Sequence, residues 1–258
     1  KKVDAKIDGY YIVKLETAED LKREGELMKH CMREKTFWRE DDKIYYSIRD
    51  NKNMPHVTFT THYLDEDEML FVSEIKGKLN TIPANNYLLI LLKWINKKYF
   101  KKIELNLEIT NSNCHLHDFF HFLNEMKYLE YVSLIISSDG YIPDGINKLT
   151  ILHSLSLVSC NLRKIPEDLF QLSGLHKLFL SENQITKIPP EIAQLKNLEE
   201  FDLSFNDVRT VPHEMGQLKK LKELALNNNS ITKVPPEIGQ LSRLEELYLE
   251  NVPVDVVN

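Results

Sequence analysis

The sequence has few cysteines, and they do not form the pattern of a disulfide framework. The 258 residues include three, Cys31, Cys114 and Cys160, which lie far apart and are odd in number. Small secreted domains that depend on disulfides use an even and closely spaced set. We therefore expect reduced thiols and a cytoplasmic protein.

The chain also lacks a long apolar run. The longest, YLLILLKWI at 87–95, is interrupted by Lys93. It is well short of the roughly 18 apolar residues that a membrane-spanning helix needs. The first residues, KKVDAKIDGYY, contain no apolar segment of signal-peptide type, although the chain does not begin with Met. We expect no membrane partner.

Positive charge is not in excess. Lysine and arginine number 33 against 39 aspartates and glutamates, which gives a net charge of -6 and a pI near 5.9. Nucleic-acid binders usually present a basic surface, so nucleic acid is disfavoured as a partner. The 42% of hydrophobic and 28% of charged residues are ordinary for a globular chain with one large or two ordinary domains.

The second half of the chain repeats itself every 23 residues without an insertion. The repeats begin at Leu129, Leu152, Leu175, Leu198, Leu221 and Leu244. Apolar residues recur three and five places later, asparagine recurs eight places later in the central repeats, and proline recurs fourteen places later. This internal period indicates a solenoid in which each unit buries its apolar side against its neighbours.

Each recurring residue type has a physical meaning. The two apolar columns lie on one side of a short strand, because strand side chains alternate. The asparagine can bond backbone groups that a tight turn leaves unpaired. Cys160 occupies the asparagine column, so we expect it to be structural. The paired prolines at 189–190 and 235–236 suit the first position of a short helical turn.

The segment LHKLFLSENQITKIPPEIAQL at 175–195 resembles the leucine-rich repeat family in its 23-residue form. The resemblance implies an α/β solenoid with a curved parallel sheet on the concave face, usually an interaction surface without chemistry of its own. The domain would cover 100–258, with an irregular first repeat at 100–128 and regular repeats at 129–258. The last repeat is incomplete, and we expect further chain or a partner to cover it.

The outward positions of the strands predict a binding surface on the concave face. They combine exposed aromatic residues with many carboxylates, and Lys177 is their single cation. Aromatic side chains supply contact area and carboxylates steer a basic partner, so we predict a basic or amphipathic protein or peptide. A solvated acidic face without a specific partner is the alternative. The predicted binding residues are Lys177, Phe179, Glu182, Glu200, Asp202, Phe205, Glu223 and Tyr248.

Residues 1–99 have a different pattern and predict a separate α+β domain. Thr17 and Asp20 can form a capping box for a helix that begins near Ala18. The expected order is helix, three strands and helix, which favours a small antiparallel sheet with helices packed on it. The strands are expected at 43–50, 55–64 and 69–77, and the second helix at 85–99.

The stretch GELMKHC at 25–31 places His30 beside Cys31 in the first helix. Adjacent helical residues do not face each other, so His30 cannot serve as the base of Cys31 while the helix continues. His56 or His62 would have to supply that base. Alternatively, Cys31 is a partly buried small apolar residue.

The runs EGELMKHCM, IYYSIRD, HVTFT and SEIKGKLNTIP, between residues 24 and 83, resemble the PcfJ-like domain, a family named after a bacterial conjugative-plasmid protein. The family often has HCVGxY where this chain has HCMREK, and the resemblance implies no settled activity. The polar residues form either a site or a network that orders the fold. The residues that carry the resemblance are Glu24, Gly25, His30, Cys31, Ser47, Arg49, Asp50, Lys76, Gly77 and Asn80.

The sequence contains few residues in arrangements that are typical of a catalytic or metal site. His30, Cys31, Arg49 and Asn80 are weak catalytic candidates in the N-terminal domain. The run NCHLHDFFH at 113–121 brings a cysteine near three histidines, but it lacks a matching second pair of ligands, so we expect neither a metal nor a cofactor. The sequence thus predicts a bacterial protein-interaction module. The alternative is an enzyme whose repeats select its substrate.

Overall fold

The computed structural model describes residues 2–28, 44–64, 69–77, 85–98, 100–109, 117–126, 129–138, 140, 142 and 145–253. The chain divides into two compact units, Lys1–Leu107 with His121–Val132, and Glu108–Phe120 with Ser133–Asn258. The domain boundary predicted at residue 99 stays a prediction. Among the described residues, none of the helices is long and apolar enough to cross a membrane.

The first unit begins with a β-hairpin that the expected helix-first order omits. Strands β1 (Lys2–Ile7) and β2 (Tyr10–Leu15) pair antiparallel around Asp8 and Gly9. Both turn residues have positive φ, 50° and 81°, as a two-residue type I′ turn requires. The predicted order of elements is therefore wrong at this point, although the aspartate–glycine pair is a hairpin signal in the sequence.

The remaining elements of the first unit lie close to their predicted positions. Helix α1 is Ala18–Met28, and helix α2 is Asn85–Lys97. The N–H of Asp20 donates to Thr17 Oγ1 at 3.0 Å, which confirms the predicted cap. The further strands are β3 (Ile44–Arg49), β4 (Pro55–Leu64), β5 (Met69–Gly77) and β6 (Lys102–Ile109). Neighbouring strands pair antiparallel, except for β5 and β6, which are parallel.

The two helices cover opposite faces of this sheet. Tyr46 packs against Trp94 of α2, with ring centroids 4.9 Å apart. Its neighbour Tyr45 packs against Leu15 of β2 and Leu21 of α1. Because consecutive strand residues point to opposite faces, the sheet is enclosed between the helices.

An ion pair is buried beneath α1. Arg49 on β3 and Glu24 on α1 are 1% and 0% exposed, and the Arg49 guanidinium donates to the Glu24 carboxylate. Arg49 Nε also donates to Ser47 Oγ at 3.1 Å, and a terminal nitrogen donates to the carbonyl of Asn53 at 3.0 Å. This network joins α1 to the β3–β4 hairpin.

The second unit consists of parallel strands, and in the described residues a short 3-10 turn follows every strand but the last. Register-paired strand residues are one repeat apart, as in the row Lys177, Glu200, Glu223 and Glu246. Its strands are β7 (Tyr131–Ser138), β8 (Leu152–Ser156), β9 (Lys177–Phe179), β10 (Glu200–Asp202), β11 (Glu223–Ala225) and β12 (Glu246–Tyr248). Helix α3 (His117–Asn124) precedes β7.

The apolar columns and the prolines occupy the predicted places. The inward apolar residues of β8 to β11 are at most 1% exposed, Leu178, Phe201 and Leu224 among them. Pro190 and Pro236 stand at the start of their 3-10 turns, which confirms the expectation for the paired prolines. The 3-10 turns are Ile146–Lys148, Glu167–Gln171, Pro190–Gln194, His213–Gln217 and Pro236–Gln240.

Three buried asparagines, Asn183, Asn206 and Asn229, form a ladder through the second unit. Asn206 Oδ1 accepts the N–H of Ile185 in the preceding repeat at 2.9 Å. Its Nδ2 donates to the carbonyls of Leu180 at 2.9 Å and Leu203 at 3.1 Å. Each side chain thus satisfies backbone groups of two repeats, as predicted.

Cys160 takes the corresponding place in its own repeat. It is fully buried, and its thiol donates to the carbonyl of Ile136 at 3.1 Å. Its N–H donates to Asn183 Oδ1 at 3.0 Å. The predicted structural role of Cys160 is confirmed.

Replacing Glu24 with Met should destabilise the first unit by about 3–5 kcal/mol, because the buried Arg49 guanidinium would lose its carboxylate. The double variant Glu24→Met, Arg49→Met should recover much of this loss, since it removes both charges. Urea unfolding of Glu24→Met, Arg49→Met and the double variant measures the coupling energy between the two residues. If the losses of unfolding free energy in the two single variants simply add up in the double variant, the two residues do not stabilise each other.

Replacing Asn206 with Ala should cost about 2–4 kcal/mol of unfolding free energy, because several buried backbone groups lose their partner together. The exposed neighbour Asp207→Ala is the matched control and should change stability by less than about 0.5 kcal/mol. Equal midpoints for the two variants in urea unfolding would contradict the role of the ladder.

Candidate interaction surface

The outward residues of β9 to β12 and the turn residues that follow them form one surface, which we call the strand face. Its first row is Lys177, Glu200, Glu223 and Glu246, and its second row is Phe179, Asp202, Ala225 and Tyr248. A third row follows the strands and comprises Glu182, Phe205, Asn228 and Asn251. Every predicted binding residue lies in one of these rows.

The first row is neutralised at one end and acidic at the other. Lys177 Nζ lies 2.7 Å from Glu200 Oε1. Glu223 follows with a carboxylate on either side of it, Glu200 and Glu246. Burial raises the pKa of Glu223, and Glu200, Glu246 and Asp202 raise it further, against a smaller opposing effect of Lys177. The free protein therefore holds like charges close together at Glu223.

The second row has two smaller residues, Asp202 and Ala225, between two aromatic ones. Asp202 Oδ1 accepts the N–H of Ser204 at 2.9 Å, which fixes that carboxylate. Tyr248 is 36% exposed, and its hydroxyl donates to Glu246. This hydrogen bond, with burial and the neighbouring carboxylates, raises the pKa of Tyr248 to about 12. Between Asp202 and Tyr248 the row has the small side chain of Ala225, which is 8% exposed.

The third row has a left-handed backbone throughout. Its residues have φ between 54° and 56°. Asparagine tolerates this conformation, whereas a bulky side chain rarely adopts it. Phe205 nevertheless has φ 54°, and its side chain is 54% exposed. Phe205 therefore has both an unfavourable backbone conformation and an exposed apolar ring. The next two repeats have asparagine at the equivalent position.

The remaining predicted residues are less exposed or already bonded. Phe179 is half-buried. Glu182 is exposed and accepts a hydrogen bond from the Ser159 hydroxyl at 2.6 Å. The structure thus brings all eight predicted residues to one surface and leaves Phe205, Glu223 and Tyr248 as its most distinctive members.

Of the catalytic candidates, Arg49 lies among the described residues and is buried. Ser47 and Arg49 are at most 1% exposed and belong to the network with Glu24. His30, Cys31 and Asn80 lie outside the described residues, as does Cys114. In the part of the chain that the structure describes, no group of three or more His, Cys, Asp or Glu side chains could hold a metal ion.

A small aromatic cluster in the first unit was not predicted. His56 stacks on Tyr87 with ring centroids 5.4 Å apart, and Tyr10 meets both rings edge-on. His56 Nε2 lies 3.3 Å from Asp50 Oδ2. These residues come from three different elements, so no local spacing in the sequence indicates the cluster.

Sequence reasoning also did not single out the small residue in the second row of the strand face. Ala225 stands in the same column as Phe179, Asp202 and Tyr248, and only the absence of bulk sets it apart. A column-by-column comparison of side-chain volume could have found it. The pairing of Glu24 with Arg49, by contrast, gives no signal in the sequence, because 25 positions separate the two residues.

The parallel strands, the asparagine ladder and the 3-10 turns define a repeat solenoid, and comparison with known proteins supplies its family. Residues 169–257 match the family model described as leucine-rich repeat region. This part of the chain is therefore a leucine-rich repeat region. A search of curated proteins found no match.

Similar chains are found among solved structures. Internalin C2 of Listeria monocytogenes is 24% identical with a TM-score of 0.50, over 65% of this chain and 68% of its own. A leucine-rich-repeat protein of Leptospira interrogans is 30% identical with a TM-score of 0.49, over 64% of this chain. The match spans 41% of the length of the Leptospira protein. A chain of the Arabidopsis thaliana BIR3–SERK2 complex is 33% identical over 40% of this chain and 57% of its own, with a TM-score of 0.38.

Replacing Phe205 with Asn should stabilise the second unit by about 0.5–1.5 kcal/mol, because asparagine accepts positive φ more readily and removes exposed apolar area. Phe179→Asn is the matched control, since Phe179 lies in a strand and is half-buried, so that variant should be less stable than the parent. Thermal and urea unfolding of both variants test this. A loss of stability in Phe205→Asn would mean that the ring supports the fold.

Proposed function

We propose that the protein is an interaction module whose strand face binds a basic or amphipathic protein segment. The observation that carries the proposal is Phe205. Its backbone is strained and its ring is exposed, so it reduces stability in the isolated protein. Residues held in this way commonly have a function, and an exposed aromatic ring suits the centre of a binding site.

Charge on the same surface favours a basic partner. Glu223 and Glu246 continue the row in which Lys177 pairs with Glu200, and among the described residues no ion pair involves either of them. A cationic partner would relieve the repulsion at Glu223. Surface charges of this kind mainly raise the association rate and select the partner, while the aromatic contacts supply more of the affinity.

The geometry of the repeats supports a concave position for the strand face. Parallel strands are spaced about 4.8 Å apart, whereas helical turns need more room between neighbours. A solenoid of the 23-residue leucine-rich-repeat form therefore curves with its sheet inside. A concave sheet can contact a partner segment through several strands at once.

We also propose that residues 1–99 belong to the PcfJ-like family and that their polar residues have a structural role. Glu24, Ser47 and Arg49, which carry part of the resemblance, meet in one buried network. Their burial disfavours direct contact with a substrate. We also propose a bacterial, cytoplasmic protein, since its few cysteines are not arranged for disulfides and Cys160 is a buried free thiol.

Selection from a random-peptide phage library tests the proposal directly. Peptides that bind the full chain should be enriched in arginine or lysine together with apolar residues. The face variant Phe205→Asn, Tyr248→Ser should bind the selected peptides at least about tenfold more weakly, because it loses both aromatic contacts.

The control for this experiment changes the other side of the repeats. Glu191 and Glu237 lie in the 3-10 turns, away from the strand face, and Glu191→Gln with Glu237→Gln removes two negative charges. This variant should bind the peptides as the parent does. Enrichment of acidic peptides, or equal binding by the face variant and the parent, would refute the proposed surface.

A further inference from the structure

Positive charge in the repeats is concentrated in two adjacent columns, eleven and twelve places after each repeat begins. In the four repeats at 152–243, these positions hold five cations, three threonines and no carboxylate. All of these side chains are exposed. We call the five cations the basic edge, and they are Arg163, Lys164, Lys187, Arg209 and Lys233.

The two columns form one continuous edge, because neighbouring repeats are in register here. Thr210 pairs with Lys233 in a parallel bridge, which brings the twelfth position of adjacent repeats side by side. Asp207 stands two places before Arg209. With the residues that the structure describes, none of the five cations forms an ion pair. A separate column of carboxylates follows on the 3-10 turns and consists of Asp168, Glu191, Glu214 and Glu237.

A cleft of about 440 Å³, which we call the Phe170 cleft, opens at the basic edge between its first two repeats. Lys164 and Lys187 bring two cations of the basic edge to it. Ile165, Phe170 and Pro189 give it an apolar surface. Binding pockets commonly have volumes of roughly 300–1,000 Å³, so the cleft is large enough to take a side chain with its backbone. The other lining residues come from the two 3-10 turns and are Glu167, Gln171, Glu191 and Gln194.

Phe170 accounts for the presence of the cleft in this pair of repeats. The same column has Ala193, Gly216 and Gly239 in the following repeats. At Gly216 an added Cβ would lie 2.5 Å from the carbonyl oxygen of Glu237, so the next turn packs directly against the glycine backbone. The ring of Phe170 is 4% exposed and needs room inside the stack, so the turn that follows it must stand further away.

We propose that the basic edge and the Phe170 cleft form a second interaction surface, which binds an acidic protein segment. The segment places one apolar side chain in the cleft and its carboxylates beside Lys164, Lys187 and the neighbouring cations. Cations without a partner favour an anionic ligand, while the apolar lining favours a protein segment over an anionic polymer that has no apolar groups. The inference goes beyond the proposed function, because this surface uses other columns of the repeats than the strand face does.

The carboxylates of the cleft determine how such a segment lies. Glu167 and Glu191 belong to the 3-10 turns, whereas Lys164 and Lys187 precede those turns. A carboxylate of the partner is repelled by the turns and attracted by the two lysines. The apolar side chain therefore enters the cleft from the basic edge, and the acidic residues on either side of it lie along that edge.

The expected affinity is modest. Exposed ion pairs contribute little individually, and salt weakens them further. We therefore expect a dissociation constant of about 0.03–0.3 mM at low ionic strength. A library selection that retains only the tightest binders would consequently not recover acidic peptides.

The test uses a fluorescein-labelled peptide with a central leucine between two runs of glutamate, the full chain as receptor and fluorescence anisotropy as the measurement. One control peptide has glutamine in place of glutamate, and the other has serine in place of leucine. The leucine peptide should bind at least about tenfold more tightly than the glutamine peptide, because it alone makes the charge contacts. It should bind about three- to tenfold more tightly than the serine peptide, because leucine buries apolar area in the cleft.

Lys164→Gln with Lys187→Gln is the decisive variant, because it removes the two cations that line the cleft. It should bind the leucine peptide about five- to tenfold more weakly than the parent protein does. The matched control is Lys219→Gln with Lys220→Gln, which removes the same charge from exposed residues elsewhere in the repeats. The control variant should bind as the parent does, and circular dichroism checks that both variants fold.

Photo-crosslinking locates the apolar contact. A photoreactive leucine analogue at the centre of the peptide should crosslink to the two segments that line the cleft, 164–171 and 187–194, as identified by mass spectrometry. Crosslinks confined to other parts of the chain would overturn the inference. Equal binding of the leucine and serine peptides, an equal loss in the two lysine variants, or no binding of the leucine peptide at about 1 mM protein would overturn it as well.

Discussion

The repeat unit depends on one constraint: no single repeat can satisfy its own buried backbone. The amide of Asn206 bonds a donor in the repeat before it and carbonyls in both repeats, and Asn183 and Asn229 do the same. The inward leucines have the same dependence, because each is covered by its neighbours on the stack. The stability of this unit therefore depends on the interfaces between adjacent repeats. The parallel strands, the 3-10 turns and the 23-residue period keep neighbouring repeats in the register that these interfaces require.

This arrangement constrains the outward side chains less than the inward ones. The strand face contributes backbone hydrogen bonds to the sheet, but its side chains take no part in the ladder or the apolar columns. Their identity can therefore change from repeat to repeat, as it does from Lys177 to Glu223 and from Phe179 to Ala225. Phe205 is the bulkiest residue of the third row, in which every backbone has positive φ, so it departs furthest from the residue type that this backbone favours.

The sequence predicted the repeats better than the first unit for a physical reason. In the repeats, each position is constrained several times over by equivalent positions, so the strands, the ladder and all eight surface residues could be located from the period alone. In the first unit each contact occurs once. The ion pair of Glu24 with Arg49 joins elements whose packing no local pattern encodes, and the cluster around His56 arises in the same way. The missed hairpin is different, because Asp8 and Gly9 do carry a local turn signal.

The bonds that join the repeats also determine how such a chain can change over evolutionary time. The ladder bonds of Asn206 and Asn229 connect residues 21 or 26 positions apart, and the same set recurs from one of these repeats to the next. Gain or loss of one whole repeat would therefore restore every bond with an equivalent partner, whereas an insertion of any other length within a repeat would shift the ladder. Duplication can lengthen the protein and copy part of its surface in one step, and later substitutions can then give the two copies different partners.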